Sequence, residues 1–343
     1  MGEQENSSAI KSASRGISAT ASEAKERRHI DDQRSRARRS VAGQTSHGPD
    51  AMSIVRASAI LGGFFLLTVP LMPVQAVLVR LAPKAARTFP NWYHRQVCRL
   101  LGITLEIEGA VADNSAVLLV CNHTSWLDIP VLSAVAPLSF VAKKEVGSWP
   151  FVSALARLQR TVFVDRSKRQ AAGDAADEIT ARLGAGDTIV LFAEGTSSDG
   201  NRVLPFKTSL FGAVKPGEDA ARSASAVVQT AAVVYTHLHG IPLSRAERPR
   251  VGWYGDMEMQ SHAWSLLKLG PLTVRITIAP AVPLDAYADR KDLALRSERA
   301  VRCAVLGILR GRPADSGLVP VEPNADQRRE KHSARGGQSE KWT

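Results

Sequence analysis

The chain has 343 residues, room for one large domain or two small ones, and 44% of them are apolar, which excludes wholesale disorder. A formal charge of +11 favours an anionic partner (nucleic acid, anionic lipid or a phosphorylated substrate) without choosing among them. Three scattered cysteines, Cys98, Cys121 and Cys303, form no CxxC pair and no zinc spacing, so the sequence predicts buried free thiols in a reducing compartment and no metal site.

Residues 1–50 are polar, rich in Ser, Arg and Ala, and without periodicity, which predicts a disordered tail. The cluster Arg34–Arg39 is nearly balanced by Asp and Glu within the same segment, so a basic arm for nucleic acid is not expected. A start at Met52 is an alternative. From Ala57 to Val79 no residue is charged, and Arg56 and Arg80 bracket the run. About twenty apolar residues suffice to cross a bilayer. Pro70 and Pro73 should kink a helix there. The run therefore spans the membrane, lies in one leaflet as a bent hairpin, acts as a signal peptide, or is a core helix of a soluble domain. Arg80, Lys84 and Arg87 resemble a cytoplasmic flank and count against the signal peptide. Arg87 to Leu101 mixes Trp92 and Tyr93 with basic residues, as interfacial helices do.

From Thr104 onward the pattern alternates. Candidate strands are Leu105–Gly109, Ala116–Asn122, Ser139–Lys143, Thr161–Asp165, Thr188–Glu194, Ala231–Thr236 and Val274–Val282. Candidate helices fill Leu127–Ala136, Glu145–Leu158, Arg169–Leu183 and Arg290–Leu309. Strands rich in Val, Ile and Leu, separated by helices, predict an α/β sheet buried on both faces. The expected organisation is a polar tail over 1–50, a membrane-associated helical segment over 51–101, a catalytic domain over 102–311 and a second polar tail over 312–343.

Three stretches carry chemistry. "NHTSWLD", Asn122 to Asp128, joins a buried strand to a helix, where ligand sites of α/β proteins gather. If His123 precedes the helix and Asp128 lies in its first turn, the carboxylate accepts the proton of one ring nitrogen and leaves the other free as a base. The alternative is a capping box of Ser125 and Asp128, in which the aspartate satisfies helix amides. "LFAEGTSSDGNRVLPFKTSLF", Leu191 to Phe211, follows a strand and offers Glu194, Gly195, Thr196, Arg202 and Lys207, a set suited to an anionic or polyol group. "KKEVGSWPFVSALARLQRTVFVDRS", Lys143 to Ser167, ends with Arg166 just past a strand, where an arginine grips phosphate or carboxylate, or pairs with a surface acid.

Together these stretches resemble the glycerolipid acyltransferase family, the enzymes that acylate lysophosphatidic acid. The family's His-x4-Asp block is matched by His123 and Asp128, its apolar-x-Arg block by "FVDR" with Arg166, and its F-x-E-G-T block by "FAEGT" with Glu194, Gly195 and Thr196. The fourth block, an apolar strand with proline, is matched poorly by Val227 to Thr236, which has none. The resemblance covers about Phe89 to Pro283. It implies a mixed, largely parallel sheet flanked by helices behind an N-terminal membrane-associated helical segment. It also implies direct acyl transfer from acyl-CoA or acyl carrier protein to the hydroxyl of a lyso-lipid, with no cofactor. His123 would be the base and Asp128 its partner. Arg166, Glu194, Gly195 and Thr196 would shape the acceptor pocket. The implied partner surface is the lipid bilayer, not nucleic acid, and the implied location is the inner membrane with the catalytic domain on the cytoplasmic side.

One departure bears on the acceptor. The family often reads "EGTRS", with an arginine taken to hold phosphate, and here Ser197 stands in that place. Either Arg202 or Lys207 supplies the charge, or the head group is not a simple phosphate. Bacterial relatives that acylate lyso-ornithine lipid are similar in "EGTSSDGNRVLPFK" and in "WYGDM", Trp253 to Met257. The leading expectation is acylation of 1-acylglycerol 3-phosphate, with lyso-ornithine lipid second. A serine hydrolase is disfavoured by the absence of a GxSxG elbow. A basic membrane-anchored binding protein would need no paired His and Asp.

Overall fold

The computed structural model describes residues 51–113, 115–164, 169–213 and 226–311. The two expected tails and Arg166 lie outside them. The described chain begins with helices α1 (Ala51–Leu81) and α2 (Pro83–Leu101). Pro70 and Pro73 lie inside α1 and do not end it. Side-chain bonds at Thr68 and Gln75 bracket the two prolines and hold the helix through them. The break comes at Ala82, at φ −140° and ψ 72°, because a residue ahead of proline is driven from helical space. Contacts between the helices run in opposite order. Gln75 Nε2 donates to Ala86 O at 3.0 Å, the hydroxyls of Thr68 and Tyr93 lie 2.8 Å apart, and a Cβ on Gly63 would come within 3.0 Å of Leu100 Cδ1. The pair is an antiparallel hairpin, and Gly63 permits its closest approach.

The strands are β1 (Ile103–Glu108), β2 (Ala116–Cys121), β3 (Ser139–Lys143), β4 (Val162–Val164), β5 (Thr188–Phe192), β6 (Ala226–Leu238), β7 (Ile241–Pro242), β8 (Leu272–Ile278) and β9 (Val282–Pro283). They form one sheet in the order β1-β8-β6-β2-β5-β3-β4, with β7 and β9 paired to β6. β2 to β6 run parallel to one another, and β8 reverses against β6. This is the mixed, largely parallel sheet that the sequence predicts. Among the described residues, the sheet belongs to the unit that begins at Val55.

Helices α3 (Asp128–Val135), α4 (Pro150–Leu158), α5 (Arg169–Gly184), α6 (Met259–Leu269) and α7 (Arg290–Leu309) complete the described elements together with short 3-10 turns. Every residue of β2 is buried. Val117, Leu119 and Cys121 join a core with α1, α2, α3 and α6. Ala116, Leu118 and Val120 join a second core with α5 and α7. The period of two sorts the strand's side chains between layers.

Two helical expectations change. Glu145–Leu158 divides into a 3-10 turn, Lys144–Ser148, and α4, since Pro150 opens a helix and holds Trp149 extended at φ −85°, ψ 109°. Helix α6, which the strand and helix pattern left out, packs Leu266 and Leu267 on the first core and closes at Gly270 with φ 127°.

Candidate active site

Strand β2 ends at Cys121, and the next residue keeps the sheet's pairing with its side chain. Asn122 Nδ2 donates to Val233 O and Val233 N–H donates to Asn122 Oδ1, both at 2.9 Å. The loop that follows is tied on each side. Ser198 N–H donates to His123 O and Trp253 N–H donates to Thr124 O, each at 2.9 Å.

Helix α3 begins at Asp128, so His123 precedes the helix and the two side chains meet. His123 Nδ1 lies 2.8 Å from Asp128 Oδ2. The same oxygen accepts the backbone N–H of Thr124 at 2.7 Å and of Ser125 at 3.0 Å. Oδ1 accepts the Tyr235 hydroxyl at 2.7 Å. Asp128 is fully buried and accepts from all four donors. Of the two alternatives posed in the sequence, the carboxylate does hold the imidazole, and the same oxygen holds the Thr124 and Ser125 amides of the loop, whereas no side chain caps the first turn of α3 itself. Ser125 Oγ takes no part; it is buried with no partner among the described residues. With Oδ2 an acceptor, Nδ1 carries the proton, and Nε2 keeps its lone pair. Burial pushes the Tyr235 phenol well above its ordinary value, with Asp128 adding to the rise, so it stays a donor.

Strand β5 supplies the wall behind the ring. Phe192 stacks on His123 with centroids 4.1 Å apart, and Phe140 lies behind at 5.9 Å. The chain then turns sharply, Gly195 N–H donating to Phe192 O at 3.0 Å with Gly195 at φ 69°. This turn drives Glu194 inward. Its Oε1 accepts His123 N–H and its Oε2 accepts Leu204 N–H, both at 2.8 Å. Glu194 thus fastens two loops, and the cavity is lined instead by Gly195, Thr196 and Ser197.

That cavity, of about 580 Å³, runs from His123 between the sheet edge and the helical hairpin. Phe64 and Leu71 of α1, Val97 of α2 and Phe151 and Leu155 of α4 line it, so it suits an alkyl chain. Lys143 is the one lysine or arginine among its described lining residues. Trp149 and Trp253 meet edge to face beside it, centroids 6.4 Å apart. A second lining histidine, His94, is pushed down to about 4 by burial and bonds Pro90 O through Nδ1, so it stays neutral, with no carboxylate partner among the described residues.

The structure does not bring Arg202 or Lys207 to this cavity. Arg202 is exposed beside a separate small cleft with Asn122, Thr124 and Arg248, and the Lys207 side chain is exposed. Tyr235, Lys143 and Trp253 were missed as site residues. Tyr235 could have been found as the lone hydroxyl-bearing aromatic in the aliphatic run Ala231–Thr236.

Residues 102–248 match the family model described as Acyltransferase. The chain is 43% identical over 258 residues to a Brucella abortus (strain 2308) protein named lyso-ornithine lipid O-acyltransferase, covering 75% of this chain and 97% of that one. The chain belongs to the acyltransferase family. It is also 31% identical over 212 residues to a Neisseria meningitidis serogroup B (strain ATCC BAA-335 / MC58) 1-acyl-sn-glycerol-3-phosphate acyltransferase, covering 62% of this chain and 78% of that one. A crystal structure of a 1-acyl-sn-glycerophosphate acyltransferase from Thermotoga maritima shares the fold, with TM-score 0.54 and 21% identity over 75% of this chain and 95% of that one. The acyltransferase match includes His123, Asp128 and the "FAEGT" loop.

Burial also makes Glu194 pH-sensitive. It raises the carboxyl from 4.5 to about 7, against the pull of the two backbone N–H groups and with Asp128 adding to the rise. The folded state therefore binds this proton more tightly than the unfolded chain. The stability it contributes is complete below about pH 4.5 and lost as pH rises through 7. The cost is on the order of 3 kcal/mol. Denaturant unfolding from pH 4.5 to 8 should show wild-type stability falling relative to Glu194→Gln. Parallel curves for the two proteins would show that Glu194 ionises without penalty.

Proposed function

We propose that the chain transfers a fatty acyl group from an acyl thioester to the free hydroxyl of a lyso-lipid, with lyso-ornithine lipid the preferred acceptor. The observation that carries the reaction is the His123–Asp128 pair, 2.8 Å apart, at the head of an apolar cavity. The acceptor hydroxyl bonds to His123 Nε2. As its oxygen attacks the thioester carbonyl, the proton passes to the imidazole and Asp128 stabilises the cation formed. The tetrahedral intermediate then expels the thiolate, which takes the proton from Nε2; a C–O bond has replaced the C–S bond. The scheme requires no cofactor, because the thioester is already activated. The donor is an acyl thioester of coenzyme A or of acyl carrier protein.

Three observations favour the ornithine head group. Similarity is higher to the protein named for that acceptor, 43% against 31%. Ser197 stands where the family places an arginine, and its hydroxyl is bonded to Trp253 O. Lys143, the one lysine or arginine among the described lining residues, offers a positive charge that a carboxylate head group can use. The match to the Neisseria enzyme keeps 1-acylglycerol 3-phosphate as the second reading.

The bilayer is the proposed partner surface. Helix α1 is long and apolar enough to cross a membrane. Its contacts with Phe151, Leu158 and Leu267 nevertheless run along its length and hold it against the α/β domain. Its outer flank leaves Val55, Leu66, Val69, Val77 and Leu81 exposed. That arrangement supports insertion in one leaflet. The basic flank Arg80, Lys84 and Arg87 supports the cytoplasmic side of the inner membrane.

The test is to give the purified protein a labelled acyl thioester with each lyso-lipid in vesicles. Lyso-ornithine lipid should be the better acceptor, and the protein should sediment with the vesicles. Exclusive use of 1-acylglycerol 3-phosphate would reverse the acceptor assignment. No product with either acceptor would remove the reaction itself.

A further inference from the structure

The cavity that His123 lines carries two indoles and no acid. Among its described lining residues there is no aspartate or glutamate, and Lys143 is the one lysine or arginine. Ornithine brings a carboxylate and, at the end of its side chain, an ammonium. Lys143, exposed at the end of β3, gives the carboxylate a partner. The ammonium needs a different one, and the lining offers it aromatic faces.

Trp149 and Trp253 meet with centroids 6.4 Å apart and planes at 71°, and both line the cavity. The 3-10 turn Lys144–Ser148 joins β3 to Trp149, so Lys143 and Trp149 bound one short segment of the wall. Trp149 remains 39% exposed. Trp253 is fixed from three sides. Its N–H donates to Thr124 O at 2.9 Å, its carbonyl accepts the Ser197 hydroxyl, and its Nε1–H donates to Met257 O at 2.8 Å. The strand of loop before it runs so close to Ser198 that a Cβ on Gly252 would come within 3.0 Å of Ser198 O. With its one side-chain donor taken, the Trp253 indole has its π surface to give to a ligand. A cation near an indole face is attracted by the ring quadrupole, more strongly where water is excluded. The carboxylates closest in sequence, Glu145, Asp256 and Glu258, are exposed, and none of them lines the cavity. Ser197, the residue standing where the family places an arginine, thus anchors one of the two rings.

We propose that Trp149 and Trp253 form a cation–π site for the ammonium of the acceptor head group, with Lys143 taking its carboxylate. The inference rests on the acyl-transfer reading with lyso-ornithine lipid as acceptor, and adds the residues that recognise that head group. A glycerol phosphate head presents no cation and gains nothing from the rings, so the pair acts on the choice of acceptor.

The test uses one acyl thioester donor and two lyso-lipids that differ in one group: an ornithine head, and a norvaline head with the same carbon chain and no terminal ammonium. Wild type should favour the ornithine acceptor about tenfold in kcat/KM. Trp149→Leu should bring that ratio close to one. Trp149→Phe, which keeps a π face, should hold most of the preference, and melting curves matching wild type will show that the fold is retained. A wild-type ratio near one would overturn the proposal, as would a Trp149→Leu ratio equal to that of wild type. An equal fall with both acceptors, together with weaker sedimentation on vesicles, would assign Trp149 to bilayer anchoring instead. Loss of the preference in Asp256→Asn/Glu258→Gln but not in Trp149→Leu would move the ammonium to a carboxylate. In all four cases product still forms, and the acyl-transfer reading stands. If wild type acylates 1-acylglycerol 3-phosphate and neither of these lipids, the acceptor reading fails with the proposal. If no acceptor gives product, the reaction itself fails.

Discussion

His123→Ala is expected to lower kcat for acyl transfer by roughly 10²–10⁴-fold, the range associated with removal of a positioned general base. Other pieces of the site stay in place. Asp128 keeps the Thr124 and Ser125 amides and the Tyr235 hydroxyl, so the buried carboxylate is not orphaned. Glu194 still receives the backbone N–H of residue 123, which alanine also carries. What goes is the 2.8 Å ring bond to Asp128 and the stack on Phe192, a loss of about 1–2 kcal/mol in stability. A melting curve near that of wild type, with product formation reduced to background, is the outcome that fits. Turnover within a few-fold of wild type would remove His123 as the base. An acylated serine found by mass spectrometry of the stalled protein would replace direct transfer with a covalent route.

Much of this centre was legible in the sequence because its parts are local. An apolar run, a His, and an Asp five positions later at a helix start form one strand-to-helix junction, and β2 and α3 fall within two residues of the expected limits. The "FAEGT" turn follows a strand for the same reason. Less legible was what depends on which strands become neighbours. Tyr235 reaches Asp128 because β6 pairs with β2 in a register that aligns Ala231 with Cys121. Nothing local in Ala231–Thr236 announces that register. Arg202 was grouped with Glu194 by closeness in sequence, but positive φ at Gly195 and Gly200 turns the loop and carries it to another cleft. Pro70 and Pro73 were read from composition as a bend, while the hairpin's real turn at Ala82 followed from Pro83. The fourth block, which lacks the family's proline, falls in β6. Gln229 in that strand bridges Ala112 N–H, Ala110 O and Ala279 O with its side-chain amide, tying the strand to two loops.

Asp128→Asn separates two roles that the carboxylate combines, and it should lower kcat by roughly 10²–10³-fold while KM for both substrates changes little. The amide keeps one acceptor oxygen. Facing it toward Nδ1 preserves the three bonds from His123, Thr124 and Ser125, since all three converge on Oδ2. The new NH2 group then faces Tyr235, whose hydroxyl rotates and accepts instead of donating. The ring's tautomer and place are therefore retained, and what disappears is the negative charge that offsets the imidazolium as the proton moves. Asp128→Ala removes the geometry as well. It leaves two buried amides and a phenol without partners, at a cost of about 1–3 kcal/mol each, so loss of folded protein would accompany loss of activity. The informative comparison is thus kcat of the Asn variant against its melting temperature. A protein that melts like wild type and still turns over within a few-fold would mean that Asp128 serves the loop alone, and that the charge development attributed to His123 takes place elsewhere.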